Sequence, residues 1–415
     1  MRHAAEHGDT KDGHAGLNGQ RRENPARSLC LALDPTFRGR AGPRSRRSGV
    51  HVEGIARFGV KTNDRGMGVL KKRWPGLASL PQLDLCAAPT RVERLASLSR
   101  ETGVELWAKR DDESAELYGG NKVRKLEWLL GEAQARGCRT LVTAGALGSH
   151  HVLATATWGR ELGMQTRAIL VPQPWTPHVE QNLRALLATG AHVTPIKDLG
   201  FLPAAMAREV VLRRLKGDRP QRIELGGSCP TGALGYVEAG LELAEQIDQG
   251  ECPEPDAVYV ALGTGGTAAG LAIGFAAAGL TTRVVGVRVT DSRVINRLSL
   301  RLLVRGTARR LRALDPHFPT IATAAFELLE IDERFFGNGY GTPHTEAAHA
   351  MLCASREGIT LEQTYTGRAF AAMLSDGRER GGTRLFVVTL SGADLAPRVA
   401  HAPEAPPWAR AMGAL

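Results

Sequence analysis

From about residue 105 onward, apolar and polar residues follow two alternating rhythms. Short apolar runs predict strands over "VELWAKRD" (104–111), "RTLVTAG" (139–145), "TRAILV" (166–171), "AHVTPI" (191–196), "DAVYVAL" (256–262), "RVVGVRV" (283–289) and "TRLFVVTL" (383–390). Between them lie stretches with helical spacing. In "KVRKLEWLLGEAQARG" (122–137), Leu126, Leu129, Leu130 and Ala133 fall at i, i+3, i+4 and i+7, and Gly137 ends the run. The same spacing predicts helices over 151–163, 178–190, 202–215, 233–248, 267–278, 291–304, 343–357 and 367–377. Strands alternating with helices predict an α/β fold with a mostly parallel sheet covered on both faces.

Residues 1–75 lack this rhythm, are rich in Gly, Arg and Pro, and read as a disordered basic leader. Met67 is an alternative start of translation. The segment "WPGLASLPQLDLCAAPTRVERL" (74–95) then reads as ordered. The net charge of +10 suggests nucleic acid until it is located. Residues 1–75 hold 16 Lys/Arg against 7 Asp/Glu, and the remainder holds 37 against 36. The body is close to neutral, so a nucleic-acid role would rest on the leader alone, and a solvated tail is the simpler reading.

Six cysteines without a C-x-x-C pair argue against a disulfide framework or zinc ribbon and fit a cytoplasmic protein. The most apolar stretch, residues 268–280, has 13 residues and is too short to span a membrane. The N-terminus has no apolar core of a secretory signal.

Ligands of parallel sheets bind outside the carboxyl ends of the strands, so the turns after strands carry the candidate chemistry. In "ALGTGGTAAGL" (261–271), Gly263, Thr264, Gly265, Gly266 and Thr267 offer backbone N–H groups and hydroxyls at a helix start, which suits a phosphate as well as it suits a tight packing turn. In "TAGALGSHHVLA" (143–154), Ser149, His150 and His151 open a helix whose N-terminus favours an anion such as a carboxylate; a plain Ser cap is the alternative. Adjacent histidines point apart on a helix, so no metal site is expected from them.

The third turn is "LYGGNKVRKLEWLL" (117–130). Gly119 and Gly120 permit close backbone approach, and Lys122 sits in the first helical turn. A helix N-terminus and burial both disfavour an ammonium ion and pull a lysine toward a nucleophilic amine. A lysine amine and a phosphate cradle together suit pyridoxal 5'-phosphate.

"GGNKVRKLEWLL", "GGSCPTGALGYVEA" (226–239), "LGTGGTAAGL", "GYGTP" (339–343) and "TYTGRAF" (364–370) occur in the order and spacing of the D-cysteine desulfhydrase / 1-aminocyclopropane-1-carboxylate deaminase family. The resemblance covers about residues 80–395. It implies the tryptophan-synthase-β-like fold: two open, mostly parallel twisted sheets flanked by helices. It implies a large cofactor domain of residues 76–124 and 236–395, a small mobile domain of 125–235, and a tail of 396–415. A homodimer acting on a small amino acid, with no membrane or nucleic-acid partner, is expected.

Carried over position by position, the resemblance makes Lys122 the residue that bears the cofactor and, once released, the base at Cα. Asn121 orders its loop. Lys125 either faces the phosphate or is a surface lysine. The Gly263–Thr267 turn matches the phosphate cradle. Ser149 matches a serine beside the substrate carboxylate, and Tyr340 and Tyr365 match two active-site tyrosines that move a proton or contact the leaving group. The chain departs from the family in three places. It reads Gly148-Ser149-His150-His151 where the family has Gln-Ser-Asn-His or Gln-Ser-Asn-Gln, so His150 replaces an asparagine that contacts the cofactor's ring oxygen. Thr366 stands where the deaminase has a glutamate on the ring nitrogen, which points to β-elimination of a good leaving group. Leu390, in Thr389-Leu390-Ser391-Gly392, is deaminase-like, while Thr389 or Ser391 could supply a hydroxyl. The expected activity is that of a desulfhydrase-like lyase giving keto acid, ammonia and sulfide. A ring-opening deaminase and a non-catalytic carrier of the cofactor are the alternatives.

Overall fold

The computed structural model describes residues 67–414, so the leader reading of residues 1–66 lies outside the described residues. Regular structure begins before residue 75. Helix α1 (Val69–Arg73) falls within the stretch assigned to the leader. Leu70 and Trp74 lie one turn apart and are buried, with the Trp74 ring 4.7 Å from that of Phe318. Two apolar residues are too few to reveal such a helix by periodicity.

Along the chain, α1 is followed by strand β1 (Val92–Arg94), α2 (Ala96–Thr102) and β2 (Glu105–Lys109). Helix α3 (Asn121–Ala135) leads into four strand–helix units. These are β3 (Thr140–Ala146) with α4 (His150–Glu161), β4 (Gln165–Val171) with α5 (Pro177–Ala188), β5 (His192–Pro195) with α6 (Leu202–Leu215), and β6 (Pro220–Arg222) with α7 (Pro230–Asp248). Next come β7 (Ala257–Leu262), α8 (Gly266–Ala278), β8 (Arg283–Arg288), α9 (Arg297–Leu314), α10 (Ala322–Glu327) and β9 (Leu329–Asp332). Helices α11 (Thr345–Ser355) and α12 (Thr366–Arg380) precede β10 (Thr383–Val387), and α13 (Ala396–Ala400) and α14 (Pro407–Gly413) follow it.

The strands form two sheets. The larger has six, in the order β1-β2-β10-β7-β8-β9, parallel except for β1. The smaller has four parallel strands, β5-β4-β3-β6. This is the two-sheet architecture that the resemblance implied. Strands β3 and β7 are buried along almost their whole length, as strands covered on both faces must be. Among the described residues, no helix is long and apolar enough to cross a membrane. The apolar stretch at 268–280 is instead α8, packed on α7: a Cβ on Gly274 would lie 2.6 Å from the Val237 carbonyl.

Two departures from the sequence reading stand out. The helix expected at 291–304 runs from Arg297 to Leu314 because Asn296 and Ser299 close a capping box at its start. Leu300, Val304 and Leu311 form its buried stripe between arginines. The expected tail contains α13 and α14, and these pack on the smaller sheet's side: Ala409 is fully buried, and Trp175 N donates to the Gly413 carbonyl (3.1 Å).

The placement of α3 depends on a buried ionic cluster. Arg124 (2 % exposed) donates to Asp111 and Glu242, and Lys109 also bonds Glu242 at 2.6 Å. Tyr236 donates to the second Asp111 oxygen at 2.6 Å. The cluster joins the end of β2, the start of α3 and the middle of α7. Gly235 permits this approach, since a Cβ there would overlap the Arg124 carbonyl.

Candidate active site

A cavity of about 440 Å³ opens between the carboxyl ends of the two sheets. Most of the candidate residues named from the sequence line it: Asn121, Lys122, Ser149, His150, Gly263, Thr264, Gly265, Gly266, Thr267, Tyr340, Tyr365, Thr366 and Leu390.

Lys122 is the second residue of α3 and keeps some surface toward the cavity. Burial lowers its ammonium pKa to about 8, so about a tenth is free amine at pH 7, far more than for an exposed lysine. The two preceding glycines permit the close backbone approach that the sequence suggested, and the structure shows what they approach. Gly120 has φ +77°, and a Cβ there would meet the Thr389 carbonyl oxygen at 2.6 Å; a Cβ on Gly119 would meet that of Asp112 at 2.7 Å. Asn121 N then donates to Thr389 O at 3.1 Å, and the Asn121 amide reaches Thr267 Oγ1 at 3.1 Å. The lysine segment is thus pinned to both the loop after β10 and the glycine turn.

That turn follows β7. Gly265 adopts φ +84° and α8 starts at Gly266. Ser228 Oγ lies 2.6 Å from Thr264 Oγ1 and accepts from Gly266 N at 3.0 Å. Lys125 is 2 % exposed, which removes the surface-lysine alternative. Its Nζ donates to the Gly226 carbonyl and would lie 3.0 Å from a Cβ on Gly266. Burial, and then Lys122, hold its pKa well below the ordinary lysine value. A dianionic phosphate beside it would restore the charge. Ser228 sits within the quoted "GGSCPTGALGYVEA", but nothing in the spacing marks it as a neighbour of a turn 36 residues away.

Ser149 caps α4, its Oγ accepting from Val152 N at 3.3 Å. The two histidines point apart, as helical geometry requires. His151 Nε2 lies 3.2 Å from Thr143 Oγ1. His150 Nδ1 lies 2.6 Å from the Tyr118 hydroxyl, and its Nε2 lies 2.8 Å from His178 Nε2. Both His150 nitrogens are therefore engaged with protein, so the expected donation to a ring oxygen is not available in this arrangement. Tyr118, His178 and Asn182 were missed by the sequence reading because their link to His150 is purely tertiary.

Tyr340 and Tyr365 meet edge to face, with their hydroxyls 2.7 Å apart. Burial pushes the Tyr340 phenol up to about 12 and that of Tyr365 well above its usual value. Both remain protonated and can donate. Thr366 opens α12, its Oγ1 accepting from Glu362 N at 2.9 Å. Glu362 also lines the cavity and was missed. Its carboxylate accepts from the N–H groups of Thr364, Tyr365 and Thr366, so it is committed to the helix start. Thr389 and Leu390 line the cavity, whereas Ser391 is not among the lining residues.

These residues fit the cofactor implied above: an amine of lowered pKa, a glycine turn whose missing side chains leave a cradle beside Lys125 and Ser228, and hydroxyl donors opposite. Residues 83–392 match the family described as pyridoxal-phosphate dependent enzyme. The chain belongs to that family. It is 36% identical over 304 residues to the D-cysteine desulfhydrase of Klebsiella pneumoniae subsp. pneumoniae, covering 72% of this chain and 89% of that protein. It is 34% identical over 322 residues to the D-cysteine desulfhydrase of Salmonella paratyphi B, covering 75% and 94%. A solved structure of an ACC deaminase homologue superposes with a TM-score of 0.64 at 29% identity, covering 76% of this chain and 93% of that one. In this pyridoxal-phosphate enzyme, Lys122 is an amine of lowered pKa lining the cavity where the two sheets meet.

Proposed function

We propose that this enzyme eliminates a β-substituent from a small amino acid, as a D-cysteine desulfhydrase does, giving keto acid, ammonia and sulfide. The observation that carries the reading is the neutral hydroxyl of Thr366 at the head of α12, in a cavity shared by Lys122 and a protonated pair of phenols. When bound, pyridoxal phosphate supplies the electron sink.

The protein supplies the rest. The Gly263–Thr267 turn, Ser228 and Lys125 hold the phosphate. The N-terminus of α4, with Ser149, holds the substrate carboxylate. Lys122, with its pKa near 8, takes the proton from Cα. Tyr365, backed by Tyr340, donates a proton to the leaving group, a task suited to phenols that do not ionise at neutral pH. Closure of the smaller lobe (125–235) over the larger one (76–124 and 236–395) would exclude water. A carboxylate in direct contact with the ring nitrogen strengthens the sink, and ring opening of 1-aminocyclopropane-1-carboxylate depends on it most; Thr366 offers none.

The test is a substrate panel assayed for sulfide, keto acid and ammonia. D- or L-cysteine or β-chloro-D-alanine should be turned over much faster than the cyclopropane amino acid, and Thr366→Glu should depress elimination. Equal or faster turnover of the cyclopropane substrate by wild type would replace this reading with a ring-opening deaminase.

A further inference from the structure

His150 lines the cavity with both nitrogens already bonded to protein, Nδ1 to Tyr118 and Nε2 to His178, which does not itself line the cavity. The proton positions follow from counting donors. Burial raises the Tyr118 phenol pKa, so the hydroxyl keeps its proton. Among the described residues its only hydrogen-bond partner is His150, so it donates to Nδ1 or leaves a buried donor unpaired. With Nδ1 as acceptor, the proton of His150 is on Nε2 and is donated to Nε2 of His178. The proton of His178 is then on Nδ1. The chain has one direction, from Tyr118 through His150 to His178.

The same face of α5 holds the neighbouring turn. Asn182, one helical turn after His178, donates to the Gly148 carbonyl at 2.9 Å and stands 3.3 Å from both Nε2 atoms. Gly148 N in turn donates to Gln173 Oε1 at 3.0 Å. The turn that carries Ser149 is thus fixed by α5 and by the loop before it. Through Tyr118, four residues before Lys122, it is also tied to the lysine segment.

We propose that His178 is a positioning residue for substrate binding: through His150 it fixes the first turn of α4, and Ser149 with it, against the segment that carries Lys122. The proposal rests on the roles given above to Ser149 and Lys122.

The experiment uses the holoenzyme and the best substrate of the panel, with His178→Ala and His178→Gln. A glutamine oxygen can accept from His150 Nε2, and alanine cannot. His178→Ala should raise KM about tenfold with kcat within about twofold. His178→Gln should return KM to near the wild-type value. A wild-type KM in His178→Ala, or a KM in His178→Gln as high as in His178→Ala, would overturn the proposal. If the alanine variant does not fold, His178→Leu, which keeps the bulk but offers no acceptor, takes its place with the same expectation. Borohydride reduction and peptide mapping of each protein separates the two levels. Cofactor fixed on Lys122 throughout, with no KM effect, removes the role of His178 only. Cofactor fixed on another residue in wild type removes the reading beneath it.

Discussion

A Cβ on Gly120 would sit 2.6 Å from the carbonyl oxygen of Thr389. The residue before Asn121-Lys122 therefore has to be glycine twice over, for this contact and for its φ of +77°. Gly120→Ala should destabilise the protein by more than about 2 kcal/mol and lower cofactor occupancy, since the lysine segment must shift away from the loop after β10. Gly103→Ala is the control. It has φ +70° but nothing within 4 Å, and should cost only about 1 kcal/mol. Urea unfolding of the two variants, with absorbance of bound cofactor, makes the comparison.

Burial holds the Lys122 ammonium at about 8 in the cofactor-free protein. Only the free amine attacks an aldehyde, so the rate of reconstitution with pyridoxal phosphate should rise with pH through a midpoint near 8. An exposed lysine would give a midpoint near about 10.4. Stopped-flow absorbance between neutral and alkaline pH measures it, and borohydride should then fix the cofactor on Lys122. A rise that continues unbroken past pH 9.5 would contradict the burial argument.

Tyr340 and Tyr365 form one hydrogen-bonded unit. Removing either hydroxyl leaves the other without its partner in a buried site. Tyr365→Phe and Tyr340→Phe should each lower kcat by about 100-fold while retaining bound cofactor, and the double variant should lose little more than the worse single. Losses that multiply in the double variant would show that the phenols act separately.

The Arg124–Asp111–Glu242 cluster should dominate stability around the site. Burial alone would raise the Glu242 carboxyl, but the Arg124 guanidinium and the Lys109 ammonium outweigh it and hold it well below the ordinary range. Its folded pKa is depressed. Its contribution is thus fully present above about pH 4.3, the unfolded glutamate value, and is lost as pH falls below that. Arg124→Met, which leaves the buried Asp111 without a cation and Glu242 with Lys109 alone, should cost about 3–5 kcal/mol at neutral pH, and the deficit should shrink as acid protonates these carboxylates. Denaturant melts of wild type and variant at pH 7 and pH 4 test both the size and the trend.

Much of this protein is legible along the chain. The alternation of apolar runs with i, i+3, i+4 spacing gave nearly every central strand and long helix, because strands covered on both faces and amphipathic helices write their burial into local pattern. Its failures are local too. β1 and β9 are short edge strands of three and four residues, and α1 has one helical turn, all too brief for a period to declare itself. The motif residues around the cavity were likewise found from turn chemistry and from resemblance, since glycine turns and helix starts are contiguous in sequence.

The tertiary structure alone decided which groups meet. Lys125 proved to be buried because the turn at 226 folds over it, a contact across about a hundred residues. The backbones that Gly120 and Gly119 approach proved to be those of Thr389 and Asp112, and the imidazole of His150 proved to be already spent on Tyr118 and His178. Sequence spacing records which elements form. It carries no record of hydrogen bonds closed between separate elements, and those bonds fix which nitrogen or hydroxyl is left free to act.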